Sequence, residues 1–123
     1  HPGNKIKPAV NNQLFSQIDI MPSVLDYIGY NSDYYAFGNS LFKENNRFVI
    51  NYISSTYHYL ENDYMINFVG DETVGLFNYK KDDVMLEDSL SNHQGKALKM
   101  ENRLKKIIQR YNYDLIHNEM TVK

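Results

Sequence analysis

A chain of 123 residues with 42% hydrophobic and 23% charged residues has the balance of an ordinary globular domain with a modest core, and not that of a disordered segment. The formal net charge of -2 argues against a nucleic-acid partner. The lack of cysteine excludes disulfides, thiolate catalysis and Cys-based zinc sites, and no apolar run reaches the roughly 18 residues that span a bilayer.

Residues 1–15 read as a loop, because Pro2, Gly3, Asn4, Pro8, Asn11 and Asn12 are turn formers or helix breakers. His1-Pro2-Gly3-Asn4-Lys5-Ile6 carries no signal peptide and no initiator Met, which fits processing or truncation at the N-terminus. Ser16 offers an N-cap, with Asp19 three residues on as a weak capping box. Ile20, Met21, Val24, Leu25 and Ile28 share one face at helical spacing, Pro22 predicts a kink, and Gly29 is a natural stop. A short helix ending near Ile28 is expected, followed by an irregular stretch over 30–46.

Four strand-like runs come next: Phe48–Ile53, Tyr57–Leu60, Tyr64–Val69 and Val74–Tyr79. The connections between them are short and polar, which suits antiparallel neighbours, since parallel strands need a long crossover. In the third run Tyr64, Ile66 and Phe68 face one way and Met65, Asn67 and Val69 the other. From Ser91, read as a capping box with Gln94, the residues Ala97, Met100, Leu104, Ile107, Ile108, Tyr111 and Leu115 recur at three- and four-residue steps, predicting a helix to about Leu115. The fold class is α+β: a four-stranded antiparallel sheet packed by a long C-terminal helix.

Charge is unevenly placed. Residues 61–88 are acidic and 96–110 basic, so the two segments either face each other or are both solvated. The basic helix face Lys99, Arg103, Lys106 and Arg110 reads as solvated, with anionic lipid as the functional alternative. Asp82-Asp83 with Glu87-Asp88 lacks the spacing and glycine of an EF-hand and reads as a solvated loop. His1, His58, His93 and His117 are too scattered to form a ligand set, and neither a catalytic nor a metal-ligating residue is assigned. The tyrosines Tyr52, Tyr57, Tyr59 and Tyr64 fit cross-strand packing, or else a stacking surface for a sugar or lipid headgroup. His58 and Tyr57 are the candidate substrate-rim residues.

Three pieces of the chain, in order, resemble the late part of sulfatase-type catalytic domains in the alkaline phosphatase superfamily. Ser16-Gln17-Ile18-Asp19-Ile20-Met21-Pro22-Ser23-Val24-Leu25-Asp26-Tyr27-Ile28-Gly29 is similar to the helical segment that follows their last core strands. Gly38-Asn39-Ser40-Leu41-Phe42 resembles their G-x-S-L element, and Gly75-Leu76-Phe77-Asn78-Tyr79-Lys80-Lys81-Asp82 the end of their C-terminal subdomain. The lipoteichoic-acid-synthase-like branch is the better match, although Ser23 stands where Thr is commoner and the residues after Asp82 depart from the pattern.

The resemblance implies that residues 1–45 are the last segment of a larger α/β catalytic domain and 46–123 its C-terminal subdomain. It implies a parent that hydrolyses or transfers sulfate or phosphoglycerol esters, with the nucleophile and divalent metal outside this chain. It also implies a membrane-anchored parent on the extracytoplasmic face of a bacterial inner membrane. The expected partner is the remainder of that catalytic domain, or a second copy of the chain covering the helix of residues 16–28. A stand-alone binding module using the tyrosine-rich sheet is the alternative.

Overall fold

Two-residue turns set the sheet in the computed structural model, which describes residues 10–43 and 46–122. Strands β1 (Phe48–Ile53), β2 (Thr56–Glu61), β3 (Tyr64–Val69) and β4 (Glu72–Phe77) pair antiparallel in chain order. Ser54 and Ser55, both at positive φ, join β1 to β2, and Gly70 at φ 63° opens the turn into β4. The register places Ile50, Tyr59, Ile66 and Leu76 in one row across all four strands.

That row faces α2 (Gln94–Ile116), which lies across β2, β3 and β4. Tyr59, Ile66, Phe68 and Leu76 from the sheet close with Ala97, Met100 and Leu104 from α2 into one buried core. The helical phase read from the sequence is buried at Ala97, Met100 and Leu104 and half-buried at Ile107 and Ile108, whereas Tyr111 and Leu115 are exposed beyond the sheet. A helix of 23 residues is about 35 Å long, whereas a six-residue strand is about 20 Å. The last turns of α2 therefore overhang the sheet, and residues 30–37 meet them there. The Tyr35 hydroxyl donates to Asp114 Oδ2 at 2.6 Å, and the Phe37 ring stands 5.6 Å from that of Tyr111.

The opposite face of the sheet carries an apolar row, Val49–Leu60–Met65–Phe77, beside a polar one, Asn51–His58–Asn67–Gly75. Helix α1 (Ile20–Ile28) follows a 3-10 turn over Gln17–Asp19 and packs on neither face.

The elements match the sequence reading with local shifts. The loop expected over residues 1–15 is described only from Val10. Strand β4 lies two residues earlier than expected, because Asn78 Oδ1 accepts the N–H groups of Lys80 and Lys81 and turns the chain there. A bulge places both Thr73 and Val74 opposite Phe68. The Ser91–Gln94 capping box is not formed. Residues Leu90–Asn92 make a 3-10 turn, the Ser89 carbonyl takes the Asn92 and His93 N–H groups, and α2 starts two residues later than expected, with His93 as N-cap. The change of helical type comes at Ile20 and not at Pro22, which stands in the first α turn where a missing N–H leaves no intrahelical bond unmade. Of the acidic and basic segments, one ion pair among the described residues joins the two, Arg103 with Glu61.

Leu104 is fully buried in this core and Leu98 is more than half exposed. Leu104→Ala is expected to lower stability by about 2–5 kcal/mol and Leu98→Ala by no more than about 0.5 kcal/mol. Urea unfolding followed by circular dichroism checks both.

Candidate functional site

Helix α1 is tied down almost entirely by polar atoms. Asp19, 4% exposed, accepts the Ser16 N–H at 3.0 Å on Oδ2 and the Asn39 N–H at 2.7 Å on Oδ1. The first of these is one arm of the expected capping box. The second brings in a loop twenty residues away. Ser23 Oγ donates to the Asp19 carbonyl at 2.6 Å and accepts the Leu41 N–H at 2.8 Å. Ser40 Oγ donates to Asp26 Oδ2 at 2.5 Å. Arg47, only 7% exposed at its side chain, donates to the Ser40 carbonyl at 2.5 Å and stands 3.9 Å from the Asp19 carboxylate. Asp19, Ser23 and Asp26 of the helical motif thus each hold the Gly38–Phe42 element, and Asp19 also the chain just after it.

Two glycines make this possible. At Gly29, φ 73°, the N–H groups of Gly29 and Tyr30 return to the Asp26 and Leu25 carbonyls and close the helix. At Gly38 a Cβ would lie 2.1 Å from the Ile18 carbonyl oxygen, so only glycine allows the loop backbone so close to the helix start. The bracket is scaffolding: its carboxylates and hydroxyls are consumed by backbone groups and by one another. The other side of α1 is open, with Ile20, Met21, Val24 and Ile28 between 47% and 63% exposed.

A second buried carboxylate, Asp114, was not singled out from the sequence. It is 1% exposed, at the overhanging end of α2, where it accepts the Arg110 Nε–H at 2.7 Å and the Tyr35 hydroxyl on the same oxygen. The Arg110 hydrogen bond, reinforced by that from Tyr35, holds its carboxyl below the usual range. Burial, with Asp114 adjacent, pushes the Tyr35 phenol up to about 12. The signal was present: Asp114 continues the stripe Met100–Leu104–Ile107–Tyr111, so a carboxylate stood where an apolar residue was due.

The two candidate rim residues do not meet. As neighbours in β2 they point to opposite faces. Tyr57 lies on the α2 side, its ring 4.5 Å from Tyr52 and 6.3 Å from Phe68, at the edge of an open groove of about 630 Å³ shared with Lys105, Ile108, Tyr113 and Ile116. His58 lies on the far face, with Nδ1 2.7 Å from Asn67 Oδ1 across the strand pair. The Asn oxygen only accepts, so Nδ1 is the donor in this pair. Tyr59 and Tyr64 lie with Tyr57 on the α2 side, so helix α2 covers much of the tyrosine-rich face.

Among the described residues no three His, Asp or Glu side chains stand together as a metal site, and no helix is long and apolar enough to cross a membrane. Asp82 and Asp88 are occupied by backbone N–H groups, those of Glu87 for the first and of Leu76 and Leu90 for the second. Comparison of the chain with family models, curated proteins and solved structures finds no match.

Two outcomes follow from this geometry. Gly38→Ala must push the loop off α1 and is expected to cost several kcal/mol, while Gly95→Ala, with open space around its Cβ, is expected to be neutral or slightly stabilising; thermal unfolding separates them. For Asp114 the folded carboxyl titrates below its unfolded value. Its stabilising contribution is complete above about pH 4 and falls away as pH drops through the folded value. Tyr35 acts in the opposite sense, being stabilising below pH 10 and losing that contribution as pH rises from 10 towards 12. In Asp114→Asn the acid-side slope of stability against pH should flatten, and in Tyr35→Phe the alkaline-side slope.

Proposed function

We propose that this chain is the C-terminal portion of a sulfatase-like hydrolase or transferase acting on sulfate or phosphoglycerol esters, in which it forms a supporting lobe. The observation that supports this reading is the interlock of two of its motifs. The Ser16–Gly29 segment and the Gly38–Phe42 element, which each resemble the same family in sequence, are joined residue by residue through Asp19, Ser23 and Asp26. The open apolar side of α1, next to that interlock, is a surface suited to the body of a larger catalytic domain.

In this reading the nucleophile and the divalent metal belong to the rest of the parent, which is anchored at the extracytoplasmic face of a bacterial inner membrane. The side chains here fix a helix and a loop against each other, and the Tyr35–Asp114 and Phe37–Tyr111 contacts carry that unit on the end of α2.

The chain has no cysteine, so a single introduced one reports its own site. Val24→Cys is expected to react rapidly with a maleimide in this chain, and much more slowly in the longer polypeptide encoded by the same reading frame upstream. That upstream frame should encode the nucleophile and metal ligands. The purified 123-residue chain, given Mg²⁺, Mn²⁺ or Ca²⁺, should leave nitrophenyl sulfate and bis(nitrophenyl) phosphate intact. Turnover by this chain alone, or an upstream frame without those residues, overturns the proposal.

A further inference from the structure

The exit of β4, the segment before the 3-10 turn and the start of α2 enclose a polar cleft of about 280 Å³. Its floor is the Tyr64 ring. That ring is held from one face by the Lys96 ammonium, 3.5 Å from its centroid, and edge-on by His93 at 6.3 Å. Asn78, Lys81, Ser89 and His93 complete the donor side of the wall.

The hydrogen-bond inventory leaves this wall rich in donors. Asn78 Oδ1 is committed to the N–H groups of Lys80 and Lys81, and its amide N–H₂ is turned to the Tyr64 phenol oxygen. The Lys96 ammonium and the Asn78 amide hold the Tyr64 phenol below its usual range, which makes its hydroxyl a stronger donor. Two carboxylates also border the cleft. Asp82 is turned into its own loop, where the Glu87 N–H donates to it at 2.8 Å and further backbone N–H groups hold it below the usual carboxylate range. Glu87 stands exposed at the rim. The uncommitted groups inside are therefore a lysine, an imidazole and two hydroxyl hydrogens, those of Tyr64 and Ser89.

We propose that this cleft binds a small oxyanion, a carboxylate, sulfate or phosphate group, with Lys81 meeting its charge and His93, Tyr64 and Ser89 donating to its oxygens. Charge-assisted hydrogen bonds are the strong ones, and a cleft of this size admits one such group. The site stands on residues of this chain alone and does not depend on the hydrolase reading.

The test is an NMR titration of the full chain with sodium phosphate, sulfate and acetate in separate arms, at constant ionic strength. Saturable shifts confined to Tyr64, Lys81, Ser89 and His93, with a Kd on the order of 1 mM for at least one anion, are expected. The arm that binds most tightly assigns the chemistry. Lys81 and Glu87 are both exposed, so their variants fold. Lys81→Gln should weaken binding at least about fivefold and Glu87→Gln should tighten it, opposite signs that a purely structural role would not give. Lys105→Gln, in the groove beside Tyr57, should change nothing. No saturable shift with any of the three anions up to roughly 20 mM, or binding indifferent to Lys81→Gln and Glu87→Gln, overturns the proposal.

Discussion

A buried carboxylate at position 19 holds the N-terminal part of this protein in place. Helix α1 packs on neither face of the sheet and has no share of the core, so the usual means of fixing a helix, burial of an apolar stripe, does not operate. Its place is taken by Asp19, whose two oxygens accept one N–H from the helix start and one from a loop twenty residues on. Taking a carboxylate out of water is costly unless its lone pairs are filled, and this one is filled from both sides with a buried guanidinium 3.9 Å away. Removing it would leave Arg47 as a buried charge without its partner, which is why the bracket acts as a unit.

The two halves of the chain are thus held by different physics. From Phe48 onward the order comes from area: four strands joined by two-residue turns present a row of large side chains, and one helix covers them. Before Arg47 it comes mainly from directed hydrogen bonds, with Ile20, Met21, Val24 and Ile28 of α1 facing solvent. Hydrogen bonds fix direction and register, whereas apolar contact fixes little more than proximity. A segment fixed by the first and leaving the second unused is suited to present a defined apolar surface. Tyr35 and Phe37 connect the halves, and they do so where α2 outruns the sheet.

Much of the second half was legible in the sequence. Alternation in Tyr64–Val69 and the three- and four-residue steps from Ala97 to Leu104 reflect the two periods of regular backbone, and burial follows those periods directly. The errors fell where local turns compete with the regular ladder of the strand or helix. Asn78 ended β4 early by capturing two N–H groups, and Ser89 delayed α2 with its carbonyl. His58 and Tyr57 come to lie on different faces of the sheet, because adjacent strand residues face opposite ways, and α2 lies on one face alone.

The sequence by itself determined the α+β class, the strand order and the face of α2 that is buried, because these depend on local period and short connections. It also held the signature from Ser16 to Gly29, but not its meaning. That Asp19 reaches Asn39, Asp26 reaches Ser40 and Asp114 reaches Tyr35 was decided only in three dimensions. Separations of 14 to 79 residues leave no periodic trace, and a carboxylate has the same appearance in a sequence whether it faces water or closes a buried bond.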